Sequence, residues 1–242
     1  MLGTQRSAGL TLRQAALITG FAYLLNPVSY AEFHLWPKLM IPGNVEQTVA
    51  NVAGHPGALL GVFFAFFINF IEDIVIAWAL YFLLAPINKA VSLLASLFQL
   101  VYASICFTGL FNLLPVYRAL TSGEYGSAAG TSVLHEQVYL LLRWFRYDYS
   151  MALVLFGIHL VLVGALIVRS RYIPLWLGLV LVADGLGWII GMLQPYLYPH
   201  VALDWLQVTA LGELIFMLWL LIAGWRLPHF ADGKTTNAAL DG

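Results

Sequence analysis

Apolar runs long enough to cross a bilayer, separated by short polar breaks, occupy most of the chain between residues 13 and 225. A spanning helix needs about 20 predominantly apolar residues, because the hydrocarbon layer is about 30 Å thick and each helical residue rises about 1.5 Å. Six stretches meet that length and predict an all-α, polytopic bundle of six transmembrane helices. The first runs from Arg13 to Leu35 and contains Asn26-Pro27, where the missing amide hydrogen predicts a kink. The others run from Pro56 to Leu84, Asn88 to Pro115, Tyr149 to Val168, Ile173 to Pro199 and Leu203 to Trp225. The expected organisation is a single transmembrane domain over 1–226 and a polar, disordered cytoplasmic tail over 227–242. A cleaved leader built on Ala15–Leu25 fits less well, since the proline break and Glu32 suit a retained helix.

The first and third connections each predict a short amphipathic helix. Gly43 to Gly54 opens on Asn44 as a cap and places Val45, Val49 and Val52 on one stripe. Ser132 to Asp148 aligns Leu134, Val138, Leu141 and Phe145, with His135, Glu136, Arg143 and Arg146 mostly off the stripe, as in a helix lying at the interface. Such a helix can run directly into the fourth span.

Composition narrows the class further. Apolar residues make up 61% and charged residues 10% of the chain, against roughly 45–50% and 25% in soluble domains. A water-soluble globule is excluded. The formal charge of −1 leaves no cationic footprint for nucleic acid. A single cysteine, Cys106, excludes an intrachain disulfide and a cysteine metal cage.

Lys and Arg are retained on the cytoplasmic side of membrane proteins. With six spans, Arg6, Arg13, Lys89, Arg169, Arg171, Arg226 and Lys234 share one face, and Lys38, Arg118, Arg143 and Arg146 share the other. The excess predicts both termini in the cytoplasm.

The chemistry lies halfway through the spans. Glu72 and Asp73 fall near the centre of the second, His159 of the fourth, Asp184 of the fifth and Glu213 of the sixth. Each costs about 2.5–3.5 kcal/mol or more facing lipid, so a shared inward polar centre is expected. Asn69 lies one turn before Glu72 and Asp73; Gln99 and Tyr102 fall on one stripe of the third span. No Lys or Arg stands at that depth. Either some of these acids keep their protons or a cation occupies the centre. Oxygen ligands with one imidazole suit a divalent ion such as Mn, Fe or Zn, but no pair has the spacing of a recognised metal motif, and no cofactor fingerprint can be assembled. Glu32, His34, His55, Glu124, His135, Glu136, His200 and Asp204 form a second group near the outer face, either a wetted rim or a proton or metal site.

Several phrases carry a resemblance: Trp36-Pro37-Lys38-Leu39-Met40-Ile41-Pro42-Gly43, Pro86-Ile87-Asn88-Lys89, Phe98-Gln99-Leu100-Val101-Tyr102-Ala103, His159-Leu160, Arg169-Ser170-Arg171-Tyr172-Ile173-Pro174 and Gly212-Glu213. Their order over residues 10–226 resembles the bacterial family called domain of unknown function 4386. The resemblance implies a small bacterial inner-membrane protein and supplies no mechanism; where that family commonly carries Arg, this chain has Gln99.

The expected function is therefore the binding or transformation of a small lipophilic substrate, such as an isoprenoid, quinone or lipid, at a mid-membrane acid and histidine centre. His159, Asp184, Glu213, Asp73 and Glu72 are the catalytic candidates, with a protonated carboxyl as general acid and His159 as base or relay. Asn69, Gln99, Tyr102 and Trp188 are the substrate-binding candidates. A proton- or cation-coupled carrier would use the same acids for its coupling ion, and an accessory subunit would use them in helix contacts. A dead-end pocket favours the first reading, a water-lined path between two vestibules the second.

Overall fold

A computed structural model describes residues 9–122 and 131–227, with Thr131 and Asp204 described by their backbone alone. Glu124, Arg6 and the tail beyond Leu227 lie outside the described residues. The described residues are all-helical, without strands. In chain order the elements are α1 (Leu12–Leu24), α2 (Val28–Tyr30), a π turn (Ala31–Leu35), α3 (Trp36–Leu39), α4 (Val45–Gly54), α5 (Pro56–Leu84), α6 (Lys89–Leu110), α7 (Leu113–Thr121), α8 (Thr131–Val168) and α9 (Leu175–Leu197). A 3-10 segment (Asp204–Ala210), α10 (Leu211–Ala223) and a last 3-10 turn (Gly224–Arg226) complete the chain.

Five segments are long and apolar enough to cross a membrane: Pro56–Leu84, Lys89–Thr121, Ser132–Val168, Leu175–Leu197 and Trp205–Arg226. They match the second to sixth expected spans. The first expected span is built differently. A capping box at Thr11 and Gln14 opens α1, but α1 has 13 residues and is about 20 Å long, short of the hydrocarbon thickness. It stops at Leu25 because Pro27 has no amide to continue the ladder, and the Asn26 side chain accepts from Val28 N at 3.1 Å instead. The chain then restarts as α2, the π turn and α3.

The helix expected over 132–148 and the fourth span are one rod, since α8 runs unbroken for 38 residues. Its N-terminal end is fastened to the early segment. Arg146 donates to Glu32 at 2.6 Å, and the Tyr139 hydroxyl accepts from Gly43 N at 2.7 Å at a turn where Gly43 takes a positive φ of 77°. The helix Val45–Gly54 is present, capped by Asn44, with Thr48, Val49 and Val52 buried.

The tightest contact joins α8 to α9. Gly157 faces Gly185 and Gly164 faces Gly178, seven residues apart on each antiparallel helix, and a Cβ on Gly157 would lie 2.5 Å from the Gly185 carbonyl oxygen. Backbones this close pack through dispersion, the usual device where burial of apolar surface gives no advantage over lipid. Outward faces are largely apolar, as Leu97 and Val101 on α6, Leu179 and Leu186 on α9 and Leu214 and Leu218 on α10 illustrate. Such a belt fits a lipid environment.

Candidate functional site

On α5 the polar residues Asn69, Glu72 and Asp73 share one side of the helix at spacings of three and four, and all three are buried. Asn69 Nδ2 donates to Asp73 Oδ2 at 3.0 Å, and Gln99 Nε2 of α6 donates to Asp73 Oδ1 at 3.0 Å. Both oxygens of Asp73 are thereby fixed. Glu72 is left with Oε1 buried and without a partner.

These residues form part of the wall of a cavity of about 470 Å³. Tyr102 of α6, Trp188 of α9 and Glu213 of α10 complete the polar wall with Asn69, Glu72 and Asp73. Trp188 Nε1 donates to Glu213 Oε1 at 3.2 Å, which aims that carboxylate from the neighbouring helix. Six of the nine sequence candidates therefore meet around one space.

The other three stand just behind it. His159 is wholly buried on α8, stacked on Phe156, and its Nδ1 lies 2.8 Å from the Ala95 carbonyl oxygen of α6. That contact makes Nδ1 the protonated nitrogen, and leaves Nε2 without a partner. Gln99 is fully buried and reaches the cavity only through Asp73. Asp184 Oδ2 accepts from the backbone amide of Glu213 at 3.1 Å. Ala210, the residue preceding α10, has no side chain to cap that helix, so Asp184 supplies from α9 the acceptor a local Ser or Asp would give. A negative group suits the positive end of the helix dipole there. Gly212 allows the approach, since a Cβ on it would sit 2.8 Å from Asp184 Oδ2.

Aromatic rings that the sequence reading left out also line the cavity: Tyr23 of α1 and Tyr149 and Phe156 of α8. With Leu153 they do leave a signal, because 149, 153 and 156 follow helical spacing and continue to His159. Toward one end the wall reaches Asn26, Ser29 and Glu32; toward the other it stops at Ile76 and Met217. About 12 Å of α5 and about 9 Å of α10 continue beyond that floor.

The outer histidines separate. His135 Nδ1 pairs with Glu46 at 2.9 Å, His34 stacks on Tyr30, and His55 Nδ1 approaches the Asn51 carbonyl oxygen at 3.1 Å. Among the described residues no three His, Cys, Asp or Glu side chains are grouped to hold a metal ion.

Comparison with known proteins gives two matches. The profile of a family described as a domain of unknown function (DUF4386) matches residues 18–224. A relative from Archaeoglobus fulgidus, described as an uncharacterized protein, is 31% identical over 186 residues, covering 77% of this chain and 91% of the relative. No solved structure matches.

Proposed function

We propose, on the premise that this chain belongs to the domain of unknown function 4386 family, that it binds or transforms a small lipophilic molecule inside the membrane. One observation carries the reading: Glu72, Asp73 and Glu213, from two different helices, share the wall of one blind cavity. Ligand sites are typically concave, mostly apolar, and fitted with a few placed polar groups. Asp73 is held by two amides and Glu213 by an indole, so neither is free to swing; Glu72 keeps an unshared oxygen for a ligand. His159 and Asp184 act behind the wall, positioning α6 against α8 and α10 against α9. The dead end at Ile76 and Met217 favours a pocket over a carrier, which needs a second vestibule.

In this reading α1 and the α2 to α3 segment together make a sixth, broken crossing, both termini lie in the cytoplasm of a bacterial cell, and the cavity opens toward the outer leaflet. The Arg146 to Glu32 pair at its mouth joins the crossing to α8.

Lipid extraction and mass spectrometry of the purified full chain test the proposal. The native protein is expected to carry a lipophilic small molecule that is depleted from a folded Leu153→Trp variant, whose indole fills the cavity. Identical extracts from the two proteins overturn it.

A further inference from the structure

Resting on that cavity reading, we infer that the ligand is an amphiphilic organic cation: a singly charged amine or quaternary ammonium head seated against Glu72, with a hydrocarbon tail leaving between α1 and α5. Four carboxylates line the cavity, Glu32, Glu72, Asp73 and Glu213, and among the described residues no Lys, Arg or His lines it with them. Glu32 already has Arg146. The three deeper acids have only neutral donors, and Glu72 Oε1 has none, although Glu72 is only 8% exposed. A buried carboxylate at a cavity wall, with one oxygen unshared, is satisfied best by a positive group that arrives with the ligand. A phosphate or sulfate head would meet these acids and no positive group among the described lining residues.

The rest of the wall fits the same head. Tyr23, Tyr102, Tyr149, Phe156 and Trp188 surround the acids, and aromatic faces attract ammonium groups through their quadrupoles, by about 2 kcal/mol or more where water is excluded. Tyr102 and Phe156 stand 5.1 Å apart between ring centroids, and Phe156 and Trp188 stand 6.4 Å apart. Rings and carboxylates together make a cage for an organic cation.

Glu72 also borders a second space. A groove of about 450 Å³ lies between α1 and α5, walled by Leu17, Ile18, Phe21, Ile71 and Val75, with Glu72 at its inner edge. Glu72 is the residue that borders both the groove and the cavity. A head held at Glu72 therefore has an apolar channel for its tail on the lipid side.

Isothermal titration of the full chain in dodecyl maltoside, with micelle blanks, tests the inference using octyltrimethylammonium, octyl sulfate, 1-octanol and tetramethylammonium. Octyltrimethylammonium is expected to bind at least tenfold more tightly than octyl sulfate, 1-octanol or tetramethylammonium. Glu72→Gln should weaken it about tenfold, and Glu72→Asp should restore part of the loss. Should Glu72→Gln fail to fold, Glu213→Gln provides the second variant, and the comparison of probes on the native chain needs none. Equal affinity for octyl sulfate or 1-octanol, or an unchanged Glu72→Gln, overturns the cationic head; equal affinity for tetramethylammonium overturns the tail. If 1-octanol binds the native chain, is lost from Leu153→Trp and is not displaced by the cation, the cavity reading survives without the cation. If no probe distinguishes the native chain from Leu153→Trp, both fail.

Discussion

The two sides of the bundle handle buried polarity in opposite ways. Between α8 and α9, glycines bring backbone against backbone, and His159 is committed to a carbonyl of α6. On the other side α1 packs against both α5 and α10, but α5 and α10 stand apart, and carboxylates line the space they leave. An ionisable residue at mid-membrane depth therefore does not by itself mark a reactive group. Whether its polar atoms are already taken by a neighbouring helix separates a packing role from a ligand role.

Substitutions can break this contrast, and the largest effect belongs to the closed side. Gly178→Leu is expected to cost about 3 kcal/mol or more, because its Cβ would sit 2.6 Å from the Gly164 carbonyl oxygen, where only backbone could yield. Thermal unfolding in detergent should show little folded protein. Loss of the imidazole contact in His159→Leu should cost about 1–3 kcal/mol in the same assay, with α6 separating from α8. Asp184→Ala should cost about 1–2 kcal/mol by uncapping α10, and Asp184→Asn, which keeps an acceptor oxygen, about half as much. The smallest stability effect is expected on the open side: Glu72→Gln should stay within about 0.5 kcal/mol of the parent while losing ligand. If Glu72→Gln unfolds the protein as readily as Gly178→Leu, the division into a packed side and a binding side is wrong.

Much of this was legible in the sequence. Spans two to six announce themselves by apolar length, and the mid-span acids by their cost in lipid; the meeting of Glu72, Asp73 and Glu213 follows from equal depth. Asn26-Pro27 marked the break in the first apolar stretch. What it did not mark is how short α1 is, because apolar residues on both sides of the break read as one run.

The separate roles of Asp184 and His159 were also hidden. A cap supplied from another helix depends on Ala210 lacking a side-chain acceptor and Gly212 lacking a Cβ, a relation between distant positions. The partner of His159 is a backbone carbonyl, which every residue possesses, so residue identity carries no sign of it. Gly185, beside Asp184, is a close-approach position whose neighbour is Gly157 of α8, again a relation between distant positions. Tyr23 could be placed in the cavity only after the break had turned the chain.

The central claim is that acids on α5 and α10 face one common space. Labelling the native chain in membranes with dicyclohexylcarbodiimide, read residue by residue by peptide mass spectrometry, tests it most directly when repeated on folded Leu153→Trp. Modification at Glu72 and Glu213 should fall together once the cavity is filled. Labelling that is unchanged at both, or altered at only one, would mean that the two carboxylates face different surroundings.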